Sequence, residues 1–523
     1  MDIMVYFRKY NSILWLIILL FILLCLAILN RPYFWDEAWS YMPAIHEMAN
    51  HSPCLYPGCI SPELYRGHPL LFYFVSSGWM KWINPSPISM HLLALLIASL
   101  ALVSLFKLSL LFLDSLYAVL SVPLLILQEV FLAQASFVLP EVLLMFLLTQ
   151  ALRYFVLKKY FHFFIYGSLM GLTKETGLVL LLPFLFITIF TKTQPFSKSL
   201  PVYASALPAI LFYIVQKLNL GWFFYPLHID MIDFSLGAFL SKLSIILKFT
   251  FFEQGRIFLL LTLLLALQYP LLKRGLKKHL IFIAVGLLVM ILVFVLHKLA
   301  FTLLVLTFIG ICLRIQISLR KSERDFIYIG VMIVFIVLIF SALNFLMTRY
   351  LIIAFPTLIV LWIMAMAKAL DPYRRNFIAI LSFVFLVLLF SIFHNFTRKG
   401  WHDDASINFI NAVRSHQAAI NFCDQHNWTD KNIFTHFLMQ QNLTQPALGY
   451  LSGPAAYKHT VYGGEIPRDT ELIIFSCIEL DEYRYESVRN NPNFKLIYRN
   501  QLHQAWTEIY STDLKVKPMI IDL

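Results

Sequence analysis

The chain has 523 residues, of which 60% are hydrophobic and 13% charged. Soluble domains run at about 45–50% apolar and about 25% charged, so a water-soluble globule is excluded. The formal charge of +12 does not call for nucleic acid: residues 395–523 carry 12 Lys+Arg against 14 Asp+Glu, and the excess sits in short clusters between apolar runs, as positive-inside membrane topology produces.

Arg8 and Lys9 precede the apolar run Ile13–Leu29, and Asn30-Arg31-Pro32 follows with no small-residue cleavage site. This reads as a retained first span, about 13–30, leaving the cytoplasm. Residues 31–90 form a long outer loop. Within it Pro69–Ile83 is apolar but short and aromatic, suited to lying in the interface. Spans two to seven are expected at about 91–112, 115–134, 139–157, 161–173, 176–191 and 200–217, since runs near 18–20 apolar residues cross a bilayer. A second outer loop, about 218–256, opens with Trp222-Phe223-Phe224-Tyr225-Pro226 and holds an interfacial helix over 236–252.

Spans eight to thirteen are expected at about 257–272, 280–296, 300–313, 326–343, 350–369 and 377–394. With about thirteen transmembrane helices, the basic clusters at Lys158-Lys159, Lys273-Arg274, Lys277-Lys278, Arg314, Arg320-Lys321, Arg324 and Arg374-Arg375 all share the side of the N-terminus. The expected fold class is an α-helical polytopic membrane protein: a transmembrane domain over 1–394, then an extracytoplasmic α/β domain over 395–523. In that domain Asp404–His426 has helical spacing, and Ile433–Thr435, Leu472–Phe475, Phe494–Tyr498 and Ala505–Tyr510 alternate like strands. No internal repeat is visible, which argues against a transporter of duplicated halves. Cys25 and Cys312 fall within spans. Cys54, Cys59, Cys423 and Cys477 fall outside, where a Cys54–Cys59 bridge around Pro57-Gly58 and four unpaired thiols are the two alternatives.

The charges near the hydrocarbon carry the chemistry, because placing them there is costly. Asp36-Glu37 follows span one. In an extended stretch adjacent side chains point opposite ways, so one acid can face a reaction while the other anchors the loop. Arg66 and His68 precede the aromatic interfacial helix. Glu141 follows Pro140 at the outer end of span four, and Glu129 lies near the outer end of span three. Lys174 ends span five, in Gly171-Leu172-Thr173-Lys174-Glu175. Arg349-Tyr350 opens span twelve, with Pro356 after it, and Arg256 lies just outside span eight. The bland readings are a solvated acidic pair, an aromatic anchor and a lysine snorkelling to headgroups. All these residues nonetheless fall on one face under a topology drawn from charge alone.

This ordered set resembles the GT-C glycosyltransferases, in the branch of the protein O-mannosyltransferases and the aminoarabinose transferase of lipid A. The resemblance spans about residues 1–370. Two positions depart from it: Leu70 stands where relatives often have a second proline after His68-Pro69, and Glu141 where they usually have Asp. The resemblance implies a polyprenyl- or dolichyl-phosphate sugar donor, and transfer with inversion to an acceptor hydroxyl on a glycan, lipid or protein. It implies Asp36 as the base with Glu37 beside it, and Lys174, Arg349 and Arg256 for the donor phosphate. Arg66, His68, Glu141 and Tyr350 would then bind substrate. No metal cluster is evident, though Glu141 with Asp36 is a candidate pair for a divalent ion. The expected partners are the lipid-linked sugar, its acceptor and membrane lipids, with no nucleic acid. The expected place is a bacterial inner membrane with the site facing outward. The rival class is a carrier or flippase of lipid-linked sugars, which predicts polar residues along span interiors. The spans here keep their charges near their ends.

Overall fold

Apolar runs bounded by Pro, Gly and charge become helices of very different lengths. The computed structural model describes residues 2–191, 195–262, 320–370, 374–398, 403–451, 453, 456–478, 480–513, 516 and 518–522. Among these, five helices are long and apolar enough to cross a membrane: Tyr10–Leu29, Pro87–Ser109, Lys321–Leu343, Thr348–Lys368 and Phe377–Thr397. A sixth arises if Phe196–Ala204 and Leu207–Leu220, bent by 40° at their junction, form one span. The chain is thus an integral membrane protein by its apolar helices, but thirteen uninterrupted spans are not what the described residues contain.

The expected span at 115–134 is two helices, Ser115–Ile126 and Glu129–Gln134. The break falls where the Gln128 amide turns back to the Leu124 carbonyl at 2.9 Å. The expected span at 176–191 is likewise divided, into Glu175–Val179 and Leu182–Thr191. Expected spans nine and ten, and residues 263–272 of expected span eight, lie outside the described residues, as do Lys273, Arg274, Lys277, Lys278, Arg314 and Cys312. Thr348–Lys368 is central, its most apolar stretch 78% buried, whereas Tyr10–Leu29 and Phe377–Thr397 are 28% and 22% buried and form the rim.

The loop after the first helix folds into the helices Met42–His51, Pro62–Tyr65 and Leu71–Trp82, and a disulfide joins Cys54 to Cys59. Cys423 and Cys477 are free. The C-terminal region is a mixed sheet of β1 (Asn432–Thr435), β2 (His459–Tyr462), β3 (Leu472–Ser476), β4 (Lys495–Leu502), β5 (Ala505–Ser511) and β6 (Met519–Asp522). The strand order is β2-β1-β3-β5-β4-β6. Helix Phe409–Gln425 packs on β4 and β5 through its buried face. Four strands match the alternating segments read from sequence; β2 and β6, short strands at the two edges, do not.

Buried hydrogen bonds tie this region to the membrane helices. The Glu129 carboxylate accepts from the Ser406 hydroxyl, from the Asn395 amide and, at 3.2 Å, from the Ile407 N–H. The Gln134 amide donates to the Asp404 carbonyl at 2.7 Å. Leaving such groups unpaired costs about 1–3 kcal/mol each. The attachment therefore fixes the segment Asp404–Ile407 against the bundle.

Candidate active site

The loop after the first span is built to aim one acid and bury another. Trp35 takes a left-handed φ of 55°, a conformation that costs a non-glycine residue of order 1 kcal/mol or more and clusters at functional sites. A π-helical turn, Glu37–Tyr41, follows at once, and such turns also concentrate at such sites. Asp36 and Glu37 consequently leave the chain toward different partners.

Glu37 is fully buried. Its carboxylate accepts from Arg31 Nη1 at 2.8 Å, from the Phe34 N–H at 3.1 Å and from the Val138 N–H at 2.7 Å, with His91 Nε2 at 3.3 Å. Burial alone would raise its pKa; Arg31 and His91 outweigh burial and hold it down at about 2. Arg31 is in turn sandwiched by Phe137 and Phe409, at 4.5 and 4.9 Å from the ring centres. This is a clamp between the loop, the span-four approach and the C-terminal region.

Asp36 instead meets Arg349. One guanidinium nitrogen of Arg349 bonds Asp36 and the other bonds Asp404, and its Nε lies 3.8 Å from Glu141 Oε1. Glu141 also accepts from Lys174 Nζ at 3.0 Å. Tyr350 forms the aromatic wall, its ring 4.2 Å from Lys174 Nζ and 5.3 Å from Arg349 Cζ.

Local sequence sets each position. Arg349 stands in a 3-10 stretch, Thr348–Ala354, that opens the central span. Pro140 and Glu141 begin the helix Pro140–Val156, where the helix dipole favours an acid. Lys174 is the extended residue between Tyr160–Thr173 and Glu175–Val179. That fold-back needs Gly177, since a Cβ there would stand 2.0 Å from the Met170 carbonyl oxygen.

Three carboxylates and two cations thus meet at the ends of apolar helices. The side chains of Arg349, Glu141, Asp404 and Lys174 are 1, 1, 4 and 6% exposed, and Asp36 is 17% exposed. Asp36 is the acid that reaches open space. Burial pushes the Asp404 carboxyl up to about 7 despite the guanidinium against it. The excess of one acid is relieved where Asp404 holds a proton. Glu141 Oε2 and Arg349 Nε have no hydrogen-bond partner although buried, as polar groups facing a substrate space would be.

Beside this cluster His68 Nδ1 bonds Glu175 Oε2 at 2.7 Å, and the His228 ring lies 5.1 Å from that of His68. Burial and the neighbouring His68 push His228 down to about 4. Arg66 stacks on Trp39 at 3.8 Å. Arg66 and Gly67 are both left-handed, and a Cβ on Gly67 would come within 2.8 Å of the Trp222 ring, so the second outer loop closes here over a bare backbone. Among the described residues no group of three or more His, Cys, Asp or Glu is arranged to hold a metal.

Of the residues read from sequence, the structure brings together Asp36, Glu141, Lys174, Arg349 and Tyr350. It places His68 with Glu175 and Arg66 on Trp39. Arg256 bonds the Phe249 carbonyl at 2.8 Å and Gln254 at 2.7 Å, on the wall of a separate, mostly apolar cavity. Sequence reasoning did not single out Asp404, Arg31 or His91. Asp403-Asp404 follows the last span as Asp36-Glu37 follows the first, and that parallel was the signal for Asp404.

Two solved structures share this architecture. ArnT from Cupriavidus metallidurans bound to undecaprenyl phosphate superposes with a TM-score of 0.52 at 10% identity, covering 98% of this chain and 99% of that one. The apo state of the same protein gives 0.50 at 11% identity, covering 97% and 100%. The likeness is one of fold: the chain folds as ArnT does. No family model matches the chain, and no curated protein does. The likeness of fold runs nearly end to end, including the C-terminal region.

Proposed function

We propose that this chain is a membrane glycosyltransferase that moves a sugar from a polyprenyl-phosphate carrier to an acceptor hydroxyl, with inversion, on the non-cytoplasmic face. The observation that carries the reading is the Asp36–Arg349–Asp404 bridge beside Lys174–Glu141, at one end of an apolar bundle. The undecaprenyl phosphate in the similar ArnT structure supports a lipid-phosphate donor. The N-terminus is cytoplasmic in this reading, with up to thirteen spans, and the disulfide loop faces an oxidising compartment.

In the reaction the acceptor oxygen attacks the anomeric carbon while Asp36 takes its proton. The bond from that carbon to the phosphate oxygen breaks on the opposite side, and the electron pair leaves with the lipid phosphate. Negative charge so moves from Asp36 to the phosphate. Arg349, already bridged to Asp36, is released as that acid is neutralised and can follow the charge. Lys174 supplies a second fixed cation, and preorganised charge of this kind is commonly the largest contribution to rate. Glu141 and Tyr350 hold Lys174 in place. Arg66 and His68 flank the space for sugar or acceptor. Glu37 keeps the loop in register.

The test is a membrane assay with defined polyprenyl-phosphate sugars, following free polyprenyl phosphate. Release that depends on acceptor supports the proposal. Movement of intact lipid-linked sugar across the bilayer without release would instead establish a carrier.

A further inference from the structure

Away from the Asp36 cluster, a cavity of about 310 Å³ opens between the end of the first helix and helix Phe409–Gln425. That lies at the low end of the roughly 300–1,000 Å³ typical of ligand sites. Its walls include Ile28, Asn30 and Arg31 from the first helix and its exit, and Arg414, Gln417 and Gly449 from the C-terminal region. We propose that this cavity holds the phosphate headgroup of an anionic phospholipid.

Charge, burial and surroundings argue together. Arg414 is exposed, and among the described residues it pairs with no carboxylate. Arg31 is 7% exposed, and its Nε has no hydrogen-bond partner although its terminal nitrogens are committed to Glu37 and the Pro32 and Ser136 carbonyls. An unpaired buried N–H of a guanidinium is costly, and an acceptor oxygen in the cavity would satisfy it. Asn30 adds a donor suited to a phosphate, and Gln417, whose amide nitrogen already donates to Asn421 and the Tyr450 carbonyl, leaves its Oε1 to accept from a headgroup hydroxyl.

The cavity also has an approach for acyl chains. The first helix exposes Leu16, Leu20, Leu23 and Leu24 at 55, 57, 53 and 59%, an apolar flank that ends at the cavity mouth. A cation just beyond a span attracts a headgroup phosphate lying within a Debye length of it. Water-soluble phosphate would gain nothing from that flank. Because Arg31 also grips Glu37, a bound headgroup would brace the loop that carries Asp36.

The test titrates the purified full chain in detergent with phosphatidylglycerol, with phosphatidylcholine of the same acyl chains, and with inorganic phosphate. Retained lipid is counted by native mass spectrometry and the unfolding midpoint is followed in parallel. The parent should retain phosphatidylglycerol and melt later with it, and Lys174→Ala should do the same, because the cavity is separate from the donor site. Arg414→Glu should weaken that binding by about tenfold or more, the worth of one charge-assisted hydrogen bond, while undecaprenyl phosphate still binds. Arg414→Lys should keep most of the affinity and Arg414→Ala should lose it, which covers the case of a poorly folded Arg414→Glu chain. Parental phosphatidylglycerol binding in both Arg414→Glu and Arg414→Ala would overturn the proposal. So would an equal effect from phosphatidylcholine or from inorganic phosphate.

Discussion

Glu37 has its carboxylate oxygens engaged by Arg31, His91 and two backbone N–H groups, with no exposed surface, whereas Asp36, one residue earlier, bonds the Arg349 guanidinium and keeps 17% of its side chain open. The same residue class, side by side, is a structural clamp in one case and an accessible acid in the other. What separates them is the left-handed Trp35 and the π-turn after Asp36, which send the two side chains to different walls. A buried acid with every acceptor used can stabilise but has no room to exchange a proton with substrate. An acid bonded to a guanidinium at the edge of open space can.

The largest effect should come from breaking the clamp. Glu37→Ala leaves Arg31 buried without its counter-ion, a loss of about 3–5 kcal/mol. Little folded protein should be recovered, and its unfolding midpoint should drop steeply. A Glu37→Ala chain of parental stability would contradict the division of roles. Next, Lys174→Ala should raise the apparent donor KM by about tenfold or more while the acceptor KM changes little, since one charge-assisted contact to phosphate is lost. Equal weakening for both substrates would place Lys174 elsewhere in the reaction.

A smaller effect is expected in pH dependence. The Asp404 carboxyl is raised from its ordinary 3.8 to about 7 by burial. Below that pH it is protonated and leaves Arg349 freer for phosphate; above it the ionised acid competes. Donor affinity in the parent should therefore fall as pH rises through 7, by up to about tenfold for one neutralised charge. Asp404→Asn should flatten the profile, and an unchanged slope would remove Asp404 from the site. The smallest effect belongs to Trp39→Leu, which removes the ring under Arg66 and costs about 0.5–1 kcal/mol. A kinetic change beyond about fivefold would show that Trp39 itself contacts substrate.

The sequence made Asp36, Glu37, Glu141, Lys174 and Arg349 conspicuous because a charge beside hydrocarbon stands out from its neighbours. Asp404 did not, being one of 14 acids in a polar tail, and its link to Arg349 depends on a tertiary attachment through Glu129 and Gln134. Arg31 entered only as part of the Asn30-Arg31-Pro32 stretch after the first span, and nothing local marked it as the partner of Glu37. Arg256 carried the right chemistry at the right depth, but the turn at Gln254-Gly255, both left-handed, directs it to the Phe249 carbonyl. The long single helices were legible from apolar length. The divided ones were not, because hydropathy averages over a one- or two-residue break such as Leu127-Gln128. The edge strands β2 and β6 span four residues each, too few to show alternation above chance.

The most direct test of the central claim is turnover of Asp36→Asn under saturating donor and acceptor, with donor binding measured on the same preparation. Asparagine keeps the size and one hydrogen bond to Arg349 but cannot take up the proton as a carboxylate does. The expected result is donor binding within a few-fold of the parent and turnover lower by about two to four orders of magnitude. Near-parental turnover in Asp36→Asn would contradict the assignment of the base and, with it, the mechanism built on the Asp36–Arg349 bridge.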